Sequence, residues 1–382
     1  MPRYVAMHSA VIAMIIIKRS DCAYATGSRS SVSSEKEIVS FVKMVEVWRG
    51  PLVESVHVGA AAVANAAGEI VAGWGDIKIV TYPRSALKPV QAIALVETGA
   101  YETHALSTRH LALACASHRG EPFHTELAAA WLARIGLDQN ALACGPDHPA
   151  DEASAAAAMI EGHPKQRIYH NCSGKHCGFL TVARHRGWEV QGYDRLQHPA
   201  QQLYLEALSE LIGHDAHELP FGIDGCALPA AALPIEEMAI AMARFAAARV
   251  ASPKRRAAIL AIHEAMRLHP EYVSGTNQAG VQLARVTQGR IIMKTGAEGL
   301  IMAYVPREGL AVTLKIADGE ARGRVPALIA LLSALGLLDA GEQRELAPLA
   351  EPPVLNSAGA KVGTVRACGF HVAQRPGAAV RA

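Results

Sequence analysis

The sequence predicts an α/β protein of the α+β type, in which an antiparallel sheet is flanked by helices and a helical subdomain is inserted between its early and late strands. Strand-like alternation with turn residues occupies 45–75, helical periodicity dominates 106–269, and strand-like runs return at 291–316. We therefore predict a single unit over 44–382, whose sheet-containing part is formed by 44–105 and 270–382 and whose mainly helical middle is 106–269.

The composition and net charge indicate a globular protein and argue against some kinds of partner. The chain has 382 residues, 51% hydrophobic and 19% charged, with a net charge of +2, which is the balance of a globular protein with a large core. The near-neutral charge and the absence of a long basic run argue against a nucleic-acid partner or an anionic membrane. The expected ligand is a small molecule. Seven cysteines in a chain of this length are too sparse and too odd in number for a disulfide scaffold, which favours a reducing, cytoplasmic location.

The N-terminal 43 residues do not carry the pattern of a folded element. Residues 5–17 are mostly apolar and are followed by the small-x-small sequence at 23–25, as in a secretory signal. His8 interrupts the apolar run, however, and the run is too short to span a membrane. We predict that 1–43 is a disordered leader and that Met44 is a candidate start; a working signal peptide is the alternative.

Strand-like runs separated by glycine-bearing turns occur at both ends of the unit. The turn at Gly68 predicts an antiparallel hairpin between the runs on either side of it, and the three late runs predict an antiparallel meander. Residues 111–116 fit either a short strand or a helix, and 356–372 is a glycine-rich tail with possible strand content. The other strand-like runs are 45–48, 55–63, 70–75, 291–299, 300–306 and 310–316, and the predicted helices are 90–97, 125–135, 152–160, 178–183, 199–213, 235–249, 253–268 and 325–335.

Residues 169–178 combine two thiols, two imidazoles, an amine and a hydroxyl between a predicted strand end at 168–169 and a predicted helix. A polar turn between rigid elements is a common place for catalytic groups. A second polar island at 221–229 places Asp224 and Cys226 among glycines, which indicates a tight backbone or a close approach. The alternative is structural, because buried cysteine packs as a small hydrophobe.

Ser85 and Lys88 form a Ser-x-x-Lys sequence at the start of a predicted helix, and this spacing places both side chains on one face. A lysine can take the proton of a serine nucleophile if burial or a cationic neighbour lowers its pKa. Alone, the motif is equally typical of a helix-capping serine followed by a solvated lysine. The later Lys294-Thr295-Gly296 sequence completes the order of motifs found in penicillin-recognising serine enzymes. The middle motif does not fit a β-lactamase, because Ser-Asp-Asn is missing.

The combined motifs resemble the asparaginase II family of the thermolabile rhizobial type. That family resembles serine β-lactamases and glutaminases in fold, so the resemblance implies a serine β-lactamase-like architecture. It runs from about residue 45 to residue 336. The motifs that carry it are 85–89, 116–118, 171–176, 222–226 and 294–299.

The resemblance implies hydrolysis of L-asparagine to L-aspartate and ammonia through an acyl-enzyme by a homodimer. Ser85 would be the nucleophile with Lys88 as its base, and Ser117 with Lys294 would form a second serine–lysine pair in the same cleft. The residues implied in substrate binding are Arg84, His118, His176 and Asp224.

The resemblance also implies a zinc ion held by Cys172, Lys175 and Cys226, with Asp224 close by. Chemistry alone would favour His176 over Lys175, because zinc ligands are usually Cys, His or carboxylate. Lysine can bind a metal only as the neutral amine, so the affinity for zinc is expected to fall with acidity. The metal would orient the substrate, and activation of a bound water is the alternative.

One departure and two alternatives accompany this interpretation. The stretch 274–278 lacks the arginine expected of the family, which leaves substrate preference open. Glutamine differs from asparagine by one methylene, and a pocket discriminates a methylene by only about 1–3 kcal/mol. A glutaminase or another amidohydrolase of this group is therefore one alternative, and a zinc-dependent amino-acid sensor without turnover is the other.

Overall fold

A computed structural model describes residues 12–13 and 40–370. The strands are β1 (Ile12–Ala13), β2 (Ser40–Arg49), β3 (Leu52–Asn65), β4 (Ile70–Trp74), β5 (Val80–Thr81), β6 (Phe221–Ile223), β7 (Pro229–Ala231), β8 (Leu233–Pro234), β9 (Ile292–Thr295), β10 (Leu300–Val305), β11 (Leu310–Ile316), β12 (Pro353–Leu355) and β13 (Lys361–Ala367). The helices are α1 (Lys88–Gln91), α2 (Ile93–Glu97), α3 (Ala100–Thr103), α4 (Thr108–Ala114), α5 (Pro122–Arg134), α6 (Glu152–Ile160), α7 (Ser173–Arg186), α8 (Pro199–Ile212), α9 (Ile235–Ala246), α10 (Pro253–Leu268), α11 (Pro270–Ser274), α12 (Ala279–Val286), α13 (Arg324–Ala334), α14 (Ala340–Glu345) and α15 (Ala347–Ala350).

One antiparallel sheet organises the molecule. Its strand order is β12-β13-β2-β3-β11-β10-β9, with β1 paired to β2 and β4 paired to β3. The early strands β2 and β3 lie beside the late strand β11, so the helical middle of the chain is an insertion between neighbouring parts of one sheet. The predicted fold class is confirmed, as are the β3–β4 hairpin and the β9–β11 meander.

Strand β3 divides two hydrophobic cores because its side chains alternate between the faces of the sheet. Ala60, Ala62 and Ala64 belong to the core that includes α9 and the helical middle. Ala61 and Val63 belong to the opposite core, which includes α13. Small side chains on β3 allow a helix to pack closely on each face of the sheet.

Residues 106–269 are mainly helical in the structure, and two of the helices there have the predicted bounds. Asp151 accepts a hydrogen bond from the backbone of Ser154 and so caps α6, while Ser252 caps α10 by accepting from the backbone of Arg255. Residues 111–116, for which strand and helix were both open, lie mostly in α4. Ser107 begins that helix in a capping box with His110.

Two local predictions were wrong. Residues 168–169 form a short 3-10 turn rather than a strand end, since the Arg167 side chain donates to the carbonyls of Leu142 and Cys144 and holds the backbone there. Strand β2 begins at Ser40, before the boundary expected at Met44, because Val42 still pairs with Gly59 of β3. Most of 1–43 otherwise lies outside the described residues. The glycine-rich tail, for which strand content was left open, contains strand β13, which pairs with β12.

Within residues 12–13 and 40–370, no helix has both the length and the apolar character needed to cross a bilayer.

Candidate active site

The centre of the site is Ser117, which follows α4 and is half-buried. Its backbone N–H donates to the carbonyl of Val273 at 2.9 Å, and that of His118 donates to Asn171 at 3.3 Å, so the segment is fixed to two other parts of the helical middle. The Ser117 Oγ lies 2.8 Å from the Lys294 Nζ and 3.1 Å from the Lys88 Nζ. The hydroxyl therefore contacts two buried amines.

Lys294 has the properties of a general base. Burial, together with the positive charge of Lys88, holds the pKa of the Lys294 amine well below its ordinary value. A neutral amine can donate to the Thr295 carbonyl, 3.0 Å away, and still offer its lone pair to the Ser117 hydroxyl. The predicted Ser117–Lys294 pair is therefore present in the structure.

The Lys88 side chain forms no hydrogen bond with Ser85, its predicted partner, in the described part of the chain; the two residues are joined by the Lys88 backbone N–H, which donates to the Ser85 carbonyl. Its side chain is fully buried. The Nζ donates to the carbonyls of Ala116 and Asn171 and contacts Ser117. A buried amine needs acceptors, and these carbonyls lie on the Ser117 side of the lysine.

Ser85 lies in the wall of the same cavity, in a 3-10 turn over Arg84–Leu87. Arg84 adopts a left-handed backbone conformation with φ of 49°, which is uncommon for a residue with a side chain. Its Nε donates to Asp224 Oδ1 at 2.6 Å. Arg84 and Asp224 were predicted to bind substrate, and the structure pairs them with each other at the edge of the cavity.

Asp224 and Cys226 lie in the turn of the β6–β7 hairpin, opposite the N-terminus of α7. Cys226 Sγ is 3.0 Å from Lys175 Nζ and 3.5 Å from Asp224 Oδ2. The interaction between the two buried thiols lowers the pKa of Cys172 and raises that of Cys226. Burial lowers the pKa of Lys175, but Cys172, Cys226 and Asp224 outweigh this and raise it above its ordinary value.

The predicted metal ligands, two thiols and one amine, therefore converge, and the Asp224 carboxylate lies close by as predicted. Cys172, Asp224 and Cys226 also line the cavity. In the part of the chain that the structure describes, no three Cys, His, Asp or Glu side chains form a group that could hold a metal. The donor set fits zinc only if Lys175 is a ligand, and its amine would first have to lose a proton.

The two histidines predicted to bind substrate have different positions. His118 lines the cavity; its Nδ1 accepts from the backbone of Gly120 at 3.1 Å, so its Nε2–H donates to the Ser173 Oγ at 2.8 Å. His176 is fully buried inside α7, with its Nδ1 2.6 Å from the Tyr193 hydroxyl, and it does not line the cavity. The start of α7 faces the cavity, whereas His176, about one turn further along the helix, lies in the protein interior.

The cavity has a volume of about 420 Å³ and a mostly polar wall. Sequence reasoning missed two arginines in that wall, Arg119 and Arg324, because neither lies in a motif with a recognisable spacing. Arg119 follows the Ser117-His118 pair, and Arg324 is the first residue of α13. The stretch that lacks the expected arginine does reach the cavity, through Ser274 and Gln278.

A serine hydroxyl between buried amines, at the base of a polar cavity, is the arrangement of a hydrolase that uses a serine nucleophile. The profile of the L-asparaginase II family matches residues 45–367, which is most of the chain. The chain belongs to the L-asparaginase II family. No curated protein sequence matches it.

Solved structures similar to the chain have β-lactamase-like folds. A β-lactamase from Mycobacterium bovis is 17% identical with a TM-score of 0.37, covering 76% of this chain and 95% of that one. The protein Mglu is 15% identical with a TM-score of 0.40, covering 76% of this chain and 67% of that one. The D-alanine carboxypeptidase AmpC from Burkholderia cenocepacia is 11% identical with a TM-score of 0.37, covering 73% and 93%. At these sequence identities and TM-scores, the similarity concerns the fold and not the reaction.

Proposed function

We propose that the protein hydrolyses L-asparagine to L-aspartate and ammonia through a serine acyl-enzyme. The observation that carries the proposal is the Ser117 hydroxyl, 2.8 Å from the Lys294 amine at the base of a cavity that Ser85 also lines. Membership of the L-asparaginase II family supports the amide as the bond that is cleaved.

In the first step the serine Oγ bonds to the side-chain amide carbon, and the lysine amine accepts the hydroxyl proton. The carbon–nitrogen bond then breaks, and the lysine returns that proton to the leaving nitrogen, which departs as ammonia. Water, deprotonated in its turn by the amine, attacks the ester carbon. The bond between that carbon and the serine Oγ then breaks, the lysine returns the proton to the Oγ, and L-aspartate leaves. Each step needs a lysine that is neutral at the start.

Two serines are candidates for the nucleophile. The sequence prediction assigns Ser85 with Lys88 as its base. The hydrogen bonds favour Ser117 with Lys294, because the Ser117 hydroxyl contacts the Lys294 amine directly and the pKa of that amine is lowered. Both hydroxyls face one cavity, so the reaction class is the same for either nucleophile.

Zinc is part of the proposal. Cys172, Lys175 and Cys226 would hold the ion, with Asp224 close by, and the bound ion would supply a positive charge that orients the substrate. The converging thiols, amine and carboxylate at the cavity wall support this. We also propose a cytoplasmic homodimer, on the basis of the family resemblance and the sparse cysteines; light scattering checks the mass of the assembly.

The test is ammonia release from L-asparagine and L-glutamine by the full chain, which is used because β2 begins before Met44. Ser85→Ala, Ser117→Ala and Cys226→Ala variants are measured beside it, with and without zinc. We expect turnover of L-asparagine to be lost when the nucleophile is replaced and weakened in Cys226→Ala. Mass spectrometry of acid-quenched protein identifies which serine carries the aspartyl ester.

If L-glutamine is hydrolysed faster than L-asparagine, the protein is a glutaminase that uses the same mechanism. Binding of L-asparagine by folded, zinc-loaded protein without turnover of either amide would contradict the proposal and support an amino-acid sensor. Retained turnover in both serine variants would exclude an acyl-enzyme on either residue.

A further inference from the structure

Arg324 lies in the cavity wall and has no role in the reaction proposed above. It is the first residue of α13 and is half-buried. Its Nη1 donates to the carbonyl of Gly296 at 3.1 Å. Gly296 directly follows β9, the strand that carries Lys294, so this bond fixes the guanidinium to the strand end beside the proposed base.

Arg324 differs from Arg84, which is paired with Asp224 at 2.6 Å. It differs from Arg119 in being less exposed, because the bond of Arg119 to the carbonyl of Ala150 lies at the exposed surface whereas that of Arg324 is partly buried. In the described part of the chain no carboxylate forms an ion pair with Arg324. Burial lowers its pKa, and no acidic neighbour offsets this. A guanidinium has five N–H donors, and most of those of Arg324 are free.

The charges around the cavity are unbalanced. Among the residues that line it, Asp224 is the only acid, and Arg84 already neutralises it. Lys88 adds a buried cationic side chain, whose Nζ is 3.1 Å from the Ser117 Oγ. Such a wall attracts an anion, and a partly desolvated guanidinium binds a planar carboxylate through two parallel hydrogen bonds.

We propose that Arg324 binds the α-carboxylate of the substrate, an inference that rests on the proposed amide hydrolysis. It restricts the substrate to amides of free amino acids, because an amide without a carboxylate leaves the guanidinium without an anion. It also supplies the cavity with a guanidinium, which the stretch 274–278 lacks. Arg324 is then a specificity-determining residue.

The test compares L-asparagine with 3-aminopropanamide, which is the same molecule with a hydrogen in place of the carboxylate. We expect Arg324→Gln to lower kcat/KM for L-asparagine by about 10- to 100-fold, mainly through KM, and to leave the slower turnover of 3-aminopropanamide unchanged. Arg324→Lys should recover part of the loss, because it keeps the charge without the planar fork. Thermal unfolding checks that each variant is folded.

Arg119→Gln is the matched comparison, since it removes another arginine from the same wall and should not discriminate between the two amides. Equal losses for both amides in Arg324→Gln would overturn the proposal, because they would indicate a structural role. The proposal would also be overturned if Arg119→Gln, and not Arg324→Gln, lost kcat/KM for L-asparagine while keeping it for 3-aminopropanamide.

Calorimetric titration with L-aspartate separates this inference from the reaction. We expect L-aspartate to bind the wild type and to bind Arg324→Gln at least 10-fold more weakly. If Arg324→Gln binds L-aspartate more weakly but the wild type does not hydrolyse L-asparagine, the proposed function is wrong and the carboxylate site is still supported. Equal binding to both proteins, or no binding to the wild type, overturns the carboxylate site even where turnover is intact.

Discussion

At the scale of single residues, the environment of each lysine decides its chemistry. Lys88 donates to two carbonyl oxygens, whereas Lys294 has one carbonyl acceptor and contacts the Ser117 hydroxyl at the shorter distance. Carbonyls only accept hydrogen bonds, so they hold the N–H groups of Lys88 away from proton transfer. The lone pair of Lys294 is directed at the serine.

This difference predicts the effect of Lys294→Arg. Arginine stays protonated at every accessible pH, so it cannot accept the proton of Ser117. We expect a loss of about 10²- to 10⁴-fold in kcat/KM for L-asparagine. In the wild type, kcat/KM should fall as the pH is lowered, because acid protonates a Lys294 amine whose pKa is below its ordinary value.

Lys315→Arg is the control for that substitution. Lys315 is also a buried lysine on the sheet, but its Nζ donates to the backbone carbonyls of Glu298 and Ile316 and does not contact Ser117. A Lys294→Arg enzyme that retains activity within a few-fold of the wild type would show that Lys294 is not the base.

At the scale of elements, the approach of α7 to α4 brings the 172–176 motif next to Ser117. Gly174 makes this approach possible, because a Cβ at that position would lie 2.2 Å from the carbonyl oxygen of Leu113 in α4. No real Cβ tolerates such a contact, and the oxygen belongs to backbone that cannot rotate away. The two helices would have to separate.

We expect Gly174→Ala to destabilise the protein by about 1–3 kcal/mol or more, through overpacking, and to lower activity by moving Ser117 relative to Cys172. The control lies in the same helix, since a Cβ at Gly178 would meet Ala114 at an ordinary 3.7 Å. Gly178→Ala should be neutral or stabilising by up to about 1 kcal/mol, because alanine favours helix. Urea unfolding measures both, and similar free energies of unfolding for the two variants would contradict the close approach.

At the scale of the whole molecule, buried neutral histidines link folding to pH. Burial lowers the pKa of His110, His124 and His263 to about 4 in each case. In the unfolded chain a histidine titrates near 6.5. Between these values the unfolded state binds more protons than the folded state, so stability rises with pH and is lost as the pH falls from about 6.5 towards 4.

His263 is suited to a test because its ring packs against Phe245 and Tyr304. We expect His263→Phe to remove up to about 3 kcal/mol of the acid-dependent loss in the free energy of unfolding. His163, which is exposed, is the control, and His163→Gln should keep the slope of the wild type. Denaturant unfolding between pH 7 and pH 4 measures the slope; an unchanged slope in His263→Phe would mean that His263 is protonated in the folded state.

Local patterns in the sequence were sufficient to predict most elements. Period-two runs and glycine turns predicted the β3–β4 hairpin and the late meander, and composition with helical periodicity predicted α6 and α10. These features depend on near neighbours in the chain, so the sequence alone determined them. The motif residues that identify the family could also be recognised from the sequence alone.

Contacts between distant parts of the chain were decided only by the tertiary structure. Lys88 is three positions from Ser85 in sequence, and yet its amine contacts Ser117 and the carbonyl of Asn171. Arg324 reaches the cavity because α13 begins beside the turn after β9. A buried amine or guanidinium takes whichever acceptors the packing leaves near it, and those acceptors come from segments that no local spacing connects.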